Sequence, residues 1–115
     1  MVDQEDAERR YTTAMVRELR LYNPNKHVLI YHDPNSSIEV DVNAQYARTK
    51  LDLGLGFSQD YEMYIFSYGN FTLAGPADFD NVCWDGMATR RGKRVAFEDR
   101  TNWSNQAIFN DTSRI

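Results

Sequence analysis

The amino-acid sequence predicts an α+β fold, in which an N-terminal amphipathic helix packs on a curved, mainly antiparallel sheet of about five to seven strands, of the cone or half-barrel type. Two observations predict this fold. Apolar residues recur at helical spacing near the N-terminus, and most later segments either alternate between apolar and polar residues or are rich in β-branched and aromatic residues. Because 115 residues can bury one continuous core but not two, residues 1–115 are expected to form a single domain.

The helix is predicted from about residue 4 to about residue 22. Asp3 is a suitable N-cap, and Glu5 and Asp6 place negative charge in the first turn, where the helix dipole favours it. Pro24 ends the helix, because the residue before a proline disfavours helical geometry. The apolar stripe consists of Ala7, Tyr11, Ala14, Met15, Leu19 and Tyr22.

A β-hairpin is predicted next, with strands at residues 27–32 and 38–42 around a turn signal at residues 33–36. In this register Ile30 lies opposite Val40, and His32 lies opposite Ile38. The other face of the pair is then shared by His27, Leu29, Tyr31, Glu39, Asp41 and Asn43.

The rest of the chain is predicted to form five more extended segments, one of which is a short strand at residues 71–75. Residues 47–57 alternate with a period of two and should form a long strand, which a turn at residues 58–60 separates from the next. Residues 61–68 are apolar on both faces, which is typical of a central, doubly covered strand. Gly69-Asn70 should be a tight turn, and residues 82–89 and 94–99 should form a last hairpin.

Composition and charge restrict the class of protein. With 42% hydrophobic and 26% charged residues, the chain has the balance of a folded globular domain. No apolar segment approaches the roughly 18 residues that cross a bilayer, and the N-terminus is acidic where a signal peptide would be basic and then apolar. We therefore expect a cytoplasmic location and no membrane partner. Cys83, the single cysteine, excludes an intramolecular disulfide and a multi-thiolate metal site within one chain.

The aromatic residues of the segment 61–75 are the best functional lead, because a buried tyrosine needs a partner for its hydroxyl group, and this suits both cavity walls and interfaces. If the strand at 61–68 is central, these rings could form a concave wall that binds a small apolar or aromatic ligand. They could equally form a homodimer or protein interface, or simply be the core beneath the helix. The candidate ligand-binding residues are Tyr31, Glu39, Tyr64, Phe66 and Tyr68.

An enzyme with acid–base chemistry in the same concavity is the alternative hypothesis, and it would use His32, Asp41, Glu39, Glu62 and Tyr64. His27 and His32 are five residues apart, so in a strand they point to opposite faces and form no metal site. The acidic stretch at residues 78–81 lacks the spaced oxygen ligands and final glutamate of a calcium loop. No catalytic residue is assigned, and neither a cofactor nor a metal is expected.

A second alternative is binding of nucleic acid or of an acidic protein through a basic turn, which consists of Arg90, Arg91, Lys93 and Arg94. The net charge of −4 opposes binding to a phosphate backbone everywhere else on the chain, which makes nucleic acid the less favoured partner. No motif identifies a family or an activity. The hypothesis that best fits the sequence is a small, non-enzymatic binding or interaction module.

Overall fold

The computed structural model describes residues 4–33, 35–74 and 82–101. Within these residues the chain forms one helix and eight strands. In chain order they are α1 Gln4–Tyr22, β1 His27–Tyr31, β2 Ser37–Val40, β3 Gln45–Gly54, β4 Phe57–Phe66, β5 Gly69–Thr72, β6 Val82–Asp85, β7 Ala88–Arg91 and β8 Arg94–Phe97. The predicted N-cap Asp3 and the acidic stretch 78–81 lie outside the described residues.

The strands form two antiparallel sheets of four strands each, with the order β3-β4-β1-β6 in the first sheet and β2-β5-β8-β7 in the second. The predicted α+β class, with an N-terminal helix on antiparallel sheet, is confirmed. The predicted number of strands is wrong, because the described residues hold eight strands in two sheets and not about five to seven in one. The chain first crosses from one sheet to the other between β1 and β2, where the sequence predicts the turn of a hairpin.

The first sheet is the middle of three layers. Alternate side chains of β1 point to the two faces of the first sheet. Leu29 and Tyr31 belong to a core shared with the second sheet, whereas Val28 and Ile30 belong to a core shared with α1. All five residues of β1 are buried. Burial on both faces removes the polar alternation that marks a half-exposed strand.

Polar contacts fix α1 across the first sheet. The hydroxyl group of Tyr61 donates a hydrogen bond to Oε1 of the buried Glu8 at 2.6 Å. At the other end of the helix, Nη1 of Arg20 lies 3.2 Å from Oδ1 of Asp85 on β6, and both side chains are largely buried. The helix therefore spans the sheet from β4 to β6, and its predicted extent of residues 4–22 is confirmed.

The predicted hairpin between residues 27–32 and 38–42 is wrong. Strand β1 pairs with β4 and β6, so Ile30 lies opposite Met63 and Cys83, whereas β2 pairs with β5, and Ile38 lies opposite Phe71. Two apolar strands joined by a turn signal can either pair side by side or pass into facing sheets. This chain takes the second course, because β1 needs a cover on each face.

Two further turns differ from the prediction. The chain reverses between β3 and β4 at Gly54-Leu55-Gly56, whose φ angles are 84°, 53° and 83°, and not at residues 58–60. Gly69 and Asn70 belong to β5 and form no tight turn.

The strand predicted at residues 61–68 corresponds to β4. Its predicted central position is confirmed, since β4 lies between β3 and β1. Of the predicted last hairpin, β7 and β8 do pair, while β6 joins the first sheet.

Asp41 holds two of the crossings between the sheets together. Its Oδ1 accepts hydrogen bonds from the backbone amides of Ser67 at 2.8 Å and Tyr68 at 3.3 Å. The backbone amide of Asp41 in turn donates to the carbonyl oxygen of Tyr68 at 3.2 Å. The link from β2 to β3 is thereby tied to the link from β4 to β5, and the buried carboxylate is satisfied by backbone donors.

His27 is fully buried between the two sheets, against the rings of Phe66 and Phe97. Its Nε2 lies 2.5 Å from the carbonyl oxygen of Glu98, so the neutral ring donates its proton there. Its Nδ1 has no hydrogen-bond partner among the described residues and faces Gly86. The fit is close, because a Cβ atom added at Gly86 would lie 2.2 Å from Nδ1.

The variant Gly86→Ala tests this close approach. The φ angle of 139° and the contact with His27 both oppose a side chain, and we expect the free energy of unfolding to fall by about 3 kcal/mol. Gly92→Ala is the matched control: φ is 59°, but nothing lies within 4 Å of the added atom. A left-handed alanine alone should cost about 1 kcal/mol. Equal losses in urea denaturation of the two variants would contradict the packing at His27.

The stability of the chain should fall at acidic pH because of His27. Burial lowers the pKa of His27 from 6.5 to about 4, the hydrogen bond to the Glu98 carbonyl opposes this shift, and the charges of Arg100 and Arg20 add to it. Between about pH 6.5 and pH 4, His27 is protonated in the unfolded chain but stays neutral in the folded state. The contribution of His27 is therefore complete above about pH 6.5 and is lost as the pH falls towards 4.

The measurement is urea denaturation of the wild type and His27→Gln between pH 7 and pH 4. The wild type should lose up to about 3 kcal/mol more than the variant over this interval. Parallel curves would show that His27 is not protected from protonation.

Candidate functional site

Three tyrosine rings lead from the core to the surface on the face of the first sheet that meets the second sheet. Tyr31 and Tyr64 stack almost in parallel, with ring centroids 6.3 Å apart and 4° between planes, and Tyr64 lies 5.0 Å from Tyr46. Tyr31 is buried, Tyr64 is half-buried and Tyr46 is 55% exposed. We call these three residues the tyrosine ladder. The ladder forms because β3, β4 and β1 are adjacent and Tyr46 pairs directly with Tyr64.

Charged side chains surround the exposed end of the tyrosine ladder. The hydroxyl group of Tyr46 donates a hydrogen bond to Oε2 of Glu62. Arg48, directly opposite Glu62 in the β3–β4 pair, places its Nε 3.5 Å from Oε1 of Glu62 and its Nη2 3.8 Å from Oδ2 of Asp60. Both oxygens of Glu62 thus have a partner. The cluster presents an aromatic ring and a guanidinium group, two groups that are enriched at protein interfaces.

Neither Tyr46 nor Tyr31 is set up to exchange protons near neutral pH. The hydrogen bond to Glu62 raises the pKa of Tyr46, and burial raises that of Tyr31 further above its ordinary range. Both phenols remain neutral at ordinary pH and act as hydrogen-bonding groups.

The structure brings together three of the five predicted ligand-binding residues. Tyr31, Tyr64 and Phe66 share one face of the first sheet, but Phe66 is 1% exposed and packs edge-on against Phe97 at 4.9 Å. Glu39 lies on β2 in the second sheet, where it is exposed, and Tyr68 follows β4 at the crossing to β5. Most of the predicted aromatic wall is therefore packed core.

The residues of the acid–base hypothesis lie on different surfaces. His32 packs edge-on against Tyr61, with ring centroids 6.0 Å apart, in the direction of α1. Glu62 lies on the opposite face of the first sheet, and Asp41 is bound to backbone amides. In the described part of the chain no group of three or more His, Cys, Asp or Glu side chains could hold a metal ion.

The basic turn lies at the end of the β7–β8 hairpin. All four of its charged side chains are exposed: Arg90, Arg91, Lys93 and Arg94. Next to it lies an open groove with a volume of about 450 Å³. The groove is lined by Met87, Ala88, Thr89, Ala96, Phe97 and Glu98.

Sequence reasoning missed an extension of β3 and β4 beyond the rest of the sheet, which we call the arm and define as residues 50–60. Within the arm the strands pair from Lys50–Asp60 to Gly54–Phe57, with a register irregularity between Asp52 and Gly54, whereas β1 pairs with β4 only at Glu62–Phe66. At the end of the arm Leu55 is 96% exposed and Phe57 is 68% exposed. The sequence signal for the turn is Gly54 and Gly56, both of which lie inside the single strand predicted at residues 47–57.

Comparisons with known proteins give no relative for this chain. No protein-family model matches it, and no curated protein and no solved structure matches it significantly. Among the described residues, α1 is too polar to span a membrane.

The hydrogen bond between Tyr46 and Glu62 can be tested by tyrosine titration. Glu62→Gln removes the carboxylate, and the pKa of Tyr46 should then fall towards its ordinary value of 10.0. The measurement is the ¹³C chemical shift of the Tyr46 ring as a function of pH. Glu39→Gln removes an exposed carboxylate from the second sheet and should leave the titration unchanged. An unchanged Tyr46 titration in Glu62→Gln would show that this contact does not form.

Proposed function

We propose that this chain is a non-enzymatic protein-interaction module that binds a partner protein through the arm and the adjoining end of the tyrosine ladder. The observation that carries the proposal is the tip of the arm, where two large apolar side chains, Leu55 and Phe57, project into solvent. Burial of such side chains provides most of the favourable free energy of protein association.

The tip combines two unfavourable features at one position. Leu55 is almost fully exposed, and its φ of 53° lies in the left-handed region that a leucine rarely adopts. The turn is nevertheless ordered by pairing of Gly54 with Phe57 and by a hydrogen bond of 2.8 Å from the Gly54 amide to Oδ1 of Asp52. Costly features of this kind are concentrated at functional positions. A rigid support also lowers the entropy lost on binding.

The exposed end of the tyrosine ladder extends this surface towards the body of the domain. Tyr46 and Arg48 belong to the residue types that contribute most to interface energy. Glu62 already satisfies the Tyr46 hydroxyl and lies close to Arg48, so a partner could cover these groups without leaving a buried charge unpaired.

The packing favours an interface over a pocket for a small apolar ligand. Tyr31 and Phe66 are buried against neighbouring rings and leave their faces occupied by the chain itself. The acid–base hypothesis has weaker support, because its residues do not converge. The basic turn is the competing contact surface, for an acidic protein or for nucleic acid.

The double variant Leu55→Asp/Phe57→Asp tests the proposal. Partners captured from the source cells by the wild type are purified, and their affinity for each variant is measured by calorimetry. We expect the tip variant to bind at least about 30-fold more weakly, as for the loss of one or two central interface side chains. Circular dichroism shows whether the fold is retained.

Two comparison variants make the test specific. Leu21→Asp changes an apolar side chain that is 79% exposed at the end of α1, and it should leave the affinity unchanged. A variant with all four cations of the basic turn changed to alanine should also bind normally. Partner binding that survives the tip variant, or that depends on the basic turn alone, contradicts the proposal.

A further inference from the structure

The outer edge of β3 is the largest pairing surface that the described residues leave open. Strand β3 has ten residues and lies at the edge of the first sheet, where its one strand partner in the described part of the chain is β4. The other edge strands, β2, β6 and β7, have four residues each. A long edge strand presents a row of backbone groups that a further strand can bind, and proteins usually shorten, bend or cover such edges.

The side chains of β3 divide cleanly between the two faces of the sheet. Thr49 bonds the hydroxyl group of Tyr11 on α1, and Leu51 packs with the core beneath the helix, so odd-numbered residues face α1. Arg48 pairs with Glu62 on the opposite face, which Lys50 and Asp52 therefore share. Lys50 and Asp52 are both exposed.

These charges suit pairing of the strand with itself. When two copies of an antiparallel strand meet about a two-fold axis perpendicular to the sheet, directly opposite residues lie on the same face. If the axis passes through Leu51, each Lys50 lies opposite Asp52 of the second copy, which gives two complementary pairs. On the other face the two Leu51 side chains meet, and each Thr49 lies opposite Leu53 of the second copy.

Neighbouring registers are less favourable. An axis through Thr49 places each Arg48 opposite Lys50 of the second copy, which gives two repulsive pairs. An axis through Lys50 places each Arg48 opposite Asp52 of the second copy, but it also places the two lysines opposite each other. Like charges in directly opposite positions destabilise a strand pair, whereas unlike charges stabilise it. The charge pattern thus selects Leu51 as the central residue.

We propose that a second copy of this chain pairs with β3 in antiparallel orientation, centred on Leu51, to form a two-fold dimer with a continuous eight-stranded sheet. The proposal deepens the proposed function, because it rests on the arm as the contact surface and names a second copy as one partner. It uses the backbone edge of the arm and the Lys50–Asp52 pairs, and it does not require the apolar tip.

Charge exchange tests the register. Light scattering on the full chain should give the mass of two chains. Lys50→Asp and Asp52→Lys should each weaken the dimer about tenfold, because each replaces two attractive pairs by two repulsive ones. The double variant Lys50→Asp/Asp52→Lys should restore the dimer, since it exchanges the two charges. Lys50 also lies opposite Asp60 within the chain, and Asp52 also accepts the hydrogen bond from the Gly54 amide. The double variant is therefore compared with both single variants, because Lys50→Asp shares its altered contact with Asp60 and Asp52→Lys shares its lost hydrogen bond.

Cysteine cross-linking locates the axis. In Leu51→Cys the two new thiols face each other across the axis with Cβ atoms about 5 Å apart, and mild oxidation should link two chains. In Leu53→Cys, with the same native Cys83, the new thiols lie about 14 Å apart and should not link. A wild type that is monomeric at about 1 mM, a double variant that stays monomeric, or cross-linking through Leu53→Cys in place of Leu51→Cys would overturn the proposal.

The dimer and the tip interaction have separate readouts. The variant Leu55→Asp/Phe57→Asp should keep the mass of two chains, because neither residue pairs across the axis. Loss of partner capture with an unchanged mass would support both proposals. Conversely, if the wild type is monomeric but still binds its partner protein normally, the dimer proposal is overturned and the proposed tip interaction is not.

Discussion

Burial of β1 on both faces is the constraint on which the rest of the architecture depends. Its five residues, His27–Tyr31, contribute side chains to the core beneath α1 and to the core shared with the second sheet. A strand of this kind needs two covers, and this chain supplies them with α1 on one face and the second sheet on the other. The pairing of β1 with β4 and β6 places it inside the first sheet, where no backbone group of β1 faces an edge.

The sequence was informative where structure is local and misleading where it is not. The extent of α1 follows from the spacing of residues such as Tyr11 and Met15, and the central position of β4 follows from its apolar residues on both faces. The pairing of β1 could not be predicted, because a turn signal looks the same in a hairpin and in a crossing between sheets. The contacts that distinguish the two are long-range, because β1 pairs with β4 and β6 and not with the strand that follows it.

The candidate site shows the same division. A period of two predicted that Tyr64 and Phe66 share one side of their strand, and they do. The period of two could not show that the second sheet covers Phe66, or that Tyr64 contacts the exposed ring of Tyr46. Tyr46 was missed because the strand was predicted to begin at residue 47, and β3 begins at Gln45. The arm was missed because it is defined by the length of β4 relative to β1, a comparison between strands far apart in sequence.

The anchors of α1 explain how a small domain can support an exposed arm. Glu8 and Tyr11 bind Tyr61 and Thr49, so the N-terminal half of the helix braces the strands where the arm begins. Beyond Leu51 the arm depends on its own paired backbone and on the turn that Gly54 and Gly56 allow. The same pairing that orders the tip leaves the outer edge of β3 without a strand in the described residues. The order of the tip thus comes from the two-stranded extension, whereas the open edge comes from the position of β3 at the end of its sheet.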